Sequence, residues 1–315
     1  MKRRDFLKVG SASLAGSAFA LSGLTMFTPK TAHAATHSVS LTAEGTYKTL
    51  IDGASVFVWQ FNDTNGTGPG ALASGMMVTE GDTVNVTVTN NVDRDIRFSI
   101  DGVSMSTTST VSPGGSRTYS FTAPGAGSYA YTDNASGELG RAMGLAGPMV
   151  VMPATGTNNL YSGGPAFDRQ YTMFMSELDD RLNSAIEAGG NYNMADYLPN
   201  YFFANGLGYP DLASDADSLI AMNLGEDVAI RFINGGAITY PMHFHGYHVN
   251  VATRNRVVET SVIEKDTVQV EIGACVDVIL PVAQTGAYPL HTHYVPGVTA
   301  NGSYSNGALI IMSAS

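Results

Sequence analysis

Two pairs of closely spaced histidines are the residues in this chain best suited to chemistry. His243 and His245 form one pair, and His291 and His293 form the other. Residues two apart on a β-strand project from the same face, so each pair can present both of its rings together. Imidazole is a common ligand of copper and zinc. The spacing therefore predicts a metal site that takes copper, or zinc, on these four side chains.

The elements that must position these histidines are short β-strands. Apolar and polar residues alternate in short segments along the chain, and turns rich in Gly, Pro and Asn separate them. This pattern is typical of all-β sandwich domains. The length accommodates two such sandwiches, which we place at 35–155 and 171–315 with a linker at 156–170. The clearest predicted strands are 83–89, 117–122, 127–131, 147–152, 227–233 and 267–272.

A weak internal repeat relates the two predicted domains. In each, a turn containing glycine and an acidic residue precedes a valine-rich strand that ends at an asparagine, Asn90 or Asn234. A Gly-Ser-Tyr or Gly-Ala-Tyr sequence later begins another strand. The repeat supports a division into two domains of one kind.

One segment after the linker has a helical pattern instead. Apolar residues recur at helical spacing between a capping sequence and a glycine pair. We interpret the segment as an insertion that covers part of domain 2. The apolar stripe consists of Leu178, Leu182 and Ile186. Ser176 is the predicted N-cap, Asp179 is the acid of the capping box, and Gly189-Gly190 ends the helix.

The first 34 residues are typical of a twin-arginine export signal. Arg3-Arg4 precedes an apolar stretch, and Ala32-His33-Ala34 forms a small-x-small cleavage sequence. Cleavage after Ala34 predicts a periplasmic or extracellular protein. It removes five basic residues and one acidic residue from totals of 16 and 27, leaving 11 and 26 and a net charge of −15. Such an acidic surface repels nucleic acid and anionic lipid, so we expect neither nucleic acid nor a membrane as a partner.

Cys275 is the only cysteine, so the chain forms no intramolecular disulfide. No histidine stands beside it in the sequence. We therefore expect a structural thiol at the start of a strand and not a copper ligand.

Together with the histidine pairs, several further motifs resemble the multicopper oxidases, and the length resembles their two-domain, laccase-like branch. The resemblance covers nearly all of the chain after the export signal, and it implies two cupredoxin-like Greek-key β-sandwich domains. The motifs are Gly68-Pro69-Gly70, Val78–Asp82, Gly140–Val151, Phe203–Asp211 and Lys265–Val268.

The resemblance also implies which copper ligands are missing. A blue (type 1) copper needs two histidines, a cysteine thiolate and usually a methionine. The matching positions hold Tyr240, Thr292 and Gly297, with Ala308 near the position of the methionine. Without a thiolate, we expect no blue copper and no laccase-type oxidation of phenols.

The four histidines that domain 1 supplies to the trinuclear copper cluster of the family are missing as well. Their positions fall in Ser99–Gly102 and Thr132–Asn134. Asp101 replaces one former ligand and Asp133 lies between two others, so either could add a carboxylate ligand. In two-domain relatives the cluster forms between neighbouring subunits of a ring of three, which implies a homotrimer. His248 could orient a ligand by a hydrogen bond.

Three functions remain open at this point. The chain could bind copper through the four domain-2 histidines without blue-oxidase activity. It could instead be a copper-dependent oxidoreductase that acts on a small molecule at the reduced site, with Tyr240 either a redox group or a packed aromatic. Or it could be a structural or assembly protein in which the histidines are a relic.

Overall fold

The computed structural model describes residues 34–63 and 75–315. Domain 1 is a sandwich of two four-stranded sheets. One sheet has the order β2-β1-β4-β6 and the other β3-β8-β7-β5. Alternating valines build the inner face; in β4 every second side chain is buried. The predicted export signal, apart from Ala34, and Gly68-Pro69-Gly70 lie outside the described residues. The elements are β1 Thr36–Thr49, β2 Ser55–Asp63, β3 Met76–Thr79, β4 Thr83–Asn90, β5 Phe98–Ile100, β6 Ser116–Thr122, β7 Gly127–Asp133, helix α1 Glu138–Met143 and β8 Ala146–Met152.

Domain 2 is a larger sandwich of the same kind. Its sheets have the orders β15-β14-β17-β12-β9-β10-β19-β20 and β11-β21-β18-β13-β16. The strands are β9 Arg169–Leu178, β10 Tyr201–Ala204, β11 Ile220–Met222, β12 Asp227–Asn234, β13 Tyr240–Phe244, β14 Val249–Arg254, β15 Val257–Lys265, β16 Thr267–Val270, β17 Cys275–Pro281, β18 Gly286–Thr292, β19 Thr299–Ala300, β20 Ser303–Tyr304 and β21 Leu309–Ala314. The helical segments are α2 Asp180–Glu187 and three 3₁₀ turns, Met194–Asp196, Asp211–Ala213 and Val295–Val298.

The internal repeat corresponds to a shared topology. Parallel pairing of β1 with β4 is matched by β9 with β12, and that of β3 with β8 by β11 with β21. The two asparagines form equivalent corners. Asn90 donates to the carbonyls of Arg94 and Val111, and Asn234 donates to those of Ile238 and Val270. Each asparagine is fully buried, so these bonds supply the partners that its amide requires.

The helix α2 covers domain 1, which makes its predicted placement on domain 2 wrong. Leu182 and Ile186 join the apolar core of domain 1, and the Asn183 amide donates to the Phe57 carbonyl at 2.6 Å. The predicted cap is also wrong, because Ser176 and Leu178 belong to β9. Asp179 is the N-cap and accepts the Arg181 N–H. The predicted stop holds, since Gly189 after the helix has φ +73°.

The two sandwiches pack against each other through a buried apolar layer. Side chains of β8, such as Val150 and Met152, belong to one buried apolar cluster with Ile233, Cys275 and Ile279 of domain 2. Cys275 is therefore a packed thiol, and burial raises its pKa. Among the described residues, no helix combines the length and the apolar character needed to cross a membrane.

Candidate metal centre

Two neighbouring strands of the five-stranded sheet carry the four histidines. β13 and β18 pair antiparallel, and His243 lies directly opposite His291. Met242 and Phe244 point into the core and are almost fully buried, so the odd-numbered residues of β13 project from the opposite face. Thr292 is likewise buried between His291 and His293. The strand alternation predicted from the sequence thus puts all four rings on one face.

The four rings form a single cluster. Their centroids lie 4.5 Å apart for His243 and His293, 4.8 Å for His243 and His245, and 5.0 Å for His245 and His291. Nε2 of His245 and Nε2 of His291 lie 2.9 Å apart and form a hydrogen bond with each other. Two nitrogen ligands of one ion are about this far apart when each lies about 2.0–2.1 Å from the ion and the nitrogen–ion–nitrogen angle is roughly a right angle.

Hydrogen bonds to oxygen fix two of the rings. Nδ1 of His243 lies 3.1 Å from the Asp266 carbonyl and 3.0 Å from Thr267 Oγ1, and Nδ1 of His291 lies 3.1 Å from the Thr292 carbonyl. A carbonyl only accepts, so each Nδ1 carries the proton. The proton-free nitrogen of each ring is then Nε2, as metal-binding imidazoles require. The Lys265–Val268 motif alone does not reveal that Asp266 and Thr267 support His243, because the pairing of β13 with β16 determines that contact.

Two of the four rings, those of His245 and His293, have a lowered pKa although each keeps an exposed side. Burial lowers the pKa of His245, and the neighbouring rings of His291, His243 and His293 lower it further. Burial, then His243 and His291, also lowers the pKa of His293. Neutral rings are the form that binds a metal ion. Within residues 34–63 and 75–315, no three side chains of His, Cys, Asp or Glu already converge on one ion position.

The two predicted carboxylate ligands, Asp101 and Asp133, contact groups outside the histidine cluster. Asp101 is exposed in a turn of domain 1, and its carboxylate lies 3.8 Å from the Arg256 guanidinium. Asp133 is buried, and its carboxylate accepts the N–H groups of Arg97, Ala135 and Ser136. These bonds make Asp133 a turn-forming residue. Asp101 as a ligand stays a prediction that concerns a neighbouring subunit.

His248 does not orient the four rings within the described part of the chain. It is exposed in the loop after β13, and its ring forms no hydrogen bond with the cluster there. A hydrogen bond from His248 to these rings within an assembly stays a prediction.

Comparisons with known proteins follow the same division of the chain. Sequence profiles described as multicopper oxidase match residues 51–156 and residues 190–302, which together exceed half of the chain. The chain belongs to the multicopper oxidase family. A comparison with curated proteins returned no match.

Solved structures show the same fold at low sequence identity. The blue copper oxidase from Nitrosomonas europaea is 22% identical, with a TM-score of 0.74, over 89% of this chain and 86% of that one. The multicopper oxidase mgLAC is 24% identical, with a TM-score of 0.72, over the same shares. The copper nitrite reductase from Nitrosomonas europaea is 20% identical, with a TM-score of 0.67, over 89% of this chain and 94% of that one. At such identities the likeness concerns the cupredoxin-like fold.

In the present chain, the positions that the resemblance matched to blue-copper ligands belong to the core of domain 2. Tyr240, Thr292, Gly297 and Ala308 are all buried. Thr292 Oγ1 accepts the Tyr294 N–H at 3.1 Å, which engages the hydroxyl locally. A Cβ on Gly297 would lie 2.4 Å from the Thr292 methyl group, so a larger side chain at 297 has no room beside this threonine.

The hydroxyl of Tyr240 contacts a buried carboxyl group, that of Glu177, which the sequence did not reveal. The hydroxyl lies 2.6 Å from Glu177 Oε2 and 2.9 Å from the Ser176 carbonyl. The Ala237 N–H and the Tyr197 hydroxyl donate to Glu177 Oε1. Burial raises the pKa of Glu177. The only sequence signal was one acid within the apolar run of β9, which does not reveal its partners.

Replacing Glu177 with glutamine is expected to remove a pH dependence of stability. Because the folded state raises the pKa of Glu177 above its ordinary 4.5, the folded chain holds this proton more tightly than the unfolded chain. The contribution of Glu177 to the free energy of unfolding is complete below the unfolded pKa and is lost as pH rises through the folded pKa. The total loss is about 1.4 kcal/mol for each pH unit between the two pKa values. Glutamine mimics the protonated acid. Urea unfolding from acid to neutral pH should therefore show the stability of Glu177→Gln rising relative to the native chain; a constant difference would contradict this.

Proposed function

We propose that this protein binds copper through His243, His245, His291 and His293, without the activity of a blue copper oxidase. The observation that supports this most is the 2.9 Å approach of the His245 and His291 Nε2 atoms within a cluster of four rings. Membership of a copper-binding family supports copper over zinc. When bound, copper would supply a Lewis acid and a one-electron redox centre at this face.

The chain's own residues prepare that face. The Asp266 and Thr292 carbonyls hold the Nδ1 protons of His243 and His291, which leaves the Nε2 lone pairs for the ion. The buried side chains between the histidines anchor both strands. The rings therefore need only rotate to bind a common metal ion. The one cysteine, Cys275, is buried outside the cluster, which supports a copper site without the thiolate bond of a blue centre.

We propose further that the protein is exported and assembles as a trimer. In that assembly the histidine face would meet domain 1 of the next subunit, and Asp101 of that subunit would add an oxygen ligand. Metal shared across the interface would stabilise the assembly by mass action. Light scattering with and without copper tests this: copper should favour the trimer, and Asp101→Asn should weaken that effect.

A copper-dependent oxidoreductase acting on a small molecule is the second candidate. The observation that favours it is the exposure of His245 and His293, which leaves one side of the cluster open in the chain. A small reductant that cycles bound copper, with loss of cycling in the histidine variants, would support this candidate over binding alone.

The His243→Ala/His291→Ala variant is expected to lose its copper while remaining folded, because both strands keep their buried faces. Metal analysis of the exported protein measures the copper content, and circular dichroism checks the fold. His248→Ala is the matched control, since His248 is exposed and separate from the cluster, and it should retain its copper. Unchanged copper in the double variant would favour a structural role, and a strong blue absorption band in the native protein would refute the absence of type 1 copper.

A further inference from the structure

The first residues of β1 include a further histidine, His37, at a position that export processing would bring close to a new amino terminus. His37 lies outside the cluster of domain 2, and it is the third residue after the predicted cleavage at Ala34. Cleavage there would create the amino terminus Ala35-Thr36-His37. We propose that this terminus is a separate site for Cu(II) or Ni(II), formed by the α-amine of Ala35, the amide nitrogens of Thr36 and His37, and Nδ1 of His37.

Simple coordination chemistry favours these ions. The four nitrogens lie on consecutive positions of one short chain segment and can close fused chelate rings around an ion. A planar set of nitrogen ligands is the geometry that Cu(II) and Ni(II) prefer. Binding releases one proton from the ammonium group and one from each of the two amides, while the imidazole keeps its proton on Nε2.

A buried carboxylate already holds the imidazole in the required form. His37 Nε2 lies 2.7 Å from Asp82 Oδ2. Asp82 is itself held in place, because its carboxylate is buried and accepts the Thr79 N–H at 2.9 Å. A carboxylate on Nε2 keeps the proton there and leaves Nδ1 for a metal ion, as carboxylates behind metal-bound histidines do at established sites.

The same carboxylate brings the future amine close to the ring. The Ala35 nitrogen lies 2.8 Å from Asp82 Oδ1, so Ala35 and His37 contact the two oxygens of one side chain. In the uncleaved chain that nitrogen is an amide. After cleavage it becomes an ammonium, which the carboxylate attracts until an ion displaces its proton.

Freeing the segment for an ion disturbs few contacts. Ala34, Ala35 and Thr36 are exposed, and the first residues of β1 pair only with β4, since pairing with β2 begins at Leu41. One hydrogen bond to be lost is that from the Thr83 N–H to the Ala35 carbonyl at 2.8 Å. The remaining pairs of β1 with β4 hold the strand in place.

Nickel titration of the exported, full-length mature protein tests the site. Mass spectrometry should first give Ala35 as the amino-terminal residue. Ni(II) should then bind with the absorption and diamagnetism of a planar four-nitrogen complex. His37→Ala should abolish this signal, and Asp82→Asn should weaken affinity by about 10-fold. The His243→Ala/His291→Ala variant should keep the signal, which separates this site from the proposed function.

The decisive control inserts one glycine between Ala34 and Ala35. Cleavage then moves His37 to the fourth position while every native side chain remains, so the planar signal should disappear. Persistence of the signal in this variant, its absence from the mature native protein, or a different amino-terminal residue would each overturn the proposal.

Discussion

Replacing Arg231 with methionine is expected to destabilise the folded protein by about 3–5 kcal/mol, because it leaves a buried carboxylate without its counter-charge. Arg231 and Asp277 are both almost completely buried, and Arg231 Nη1 lies 3.4 Å from Asp277 Oδ2. Burial lowers the pKa of Arg231, and the neighbouring charge of Asp277 opposes that effect. Urea unfolding measures the loss.

The Arg231–Asp277 pair also connects the two domains. Asp277 of β17 accepts the hydroxyl of Ser128, which lies on β7 of domain 1. Met152 of β8 approaches Arg231 from the same side, with its sulfur 4.0 Å from Nη2. Loss of the arginine should therefore loosen the contact between domains as well as domain 2 itself.

The Arg231→Met/Asp277→Asn double variant separates charge from packing. Asparagine keeps oxygen and nitrogen positions for the hydroxyls of Ser128 and Thr253 but carries no charge. If the cost of the single change is an uncompensated charge, the double variant should recover most of the lost stability. A single variant within about 1 kcal/mol of native, or a double variant that sums the two losses, would contradict the argument.

The strands and the histidine cluster were predictable because both depend on local alternation. In β4 and β13 the residue pattern alone decides which side chains face inwards, and β13 therefore presents His243 and His245 together. The match of His243 to His291 needed only two neighbouring strands in register.

What the sequence could not supply are contacts set by tertiary packing. An apolar stripe indicates that α2 is covered, but nothing in it states which sandwich covers it. The partners of Glu177 come from two separate segments, one around Tyr197 and one from Ala237 to Tyr240. Such contacts join residues 20 to 63 positions apart, and the residue pattern of β9 does not identify the partners of its one buried acid.

Truncating Tyr240 to alanine is expected to cost about 3–5 kcal/mol, the loss typical of a fully buried aromatic ring. Tyr240→Phe keeps the ring and removes only the hydroxyl, which lies between Glu177 and the Ser176 carbonyl. Leaving those buried oxygens short of a partner should cost about 1–3 kcal/mol.

The two Tyr240 variants also test how far the core of domain 2 is separate from the metal face. Tyr240 points inwards with Met242 and Phe244, whereas His243 points to the other face of the same strand. Copper content should therefore stay at the native level in Tyr240→Phe, while urea unfolding reports the loss of stability. Loss of copper in Tyr240→Phe with unchanged stability would mean that the hydroxyl serves the metal site. The expected result instead makes Tyr240 a core residue that holds Glu177 in place and has no part in the metal face.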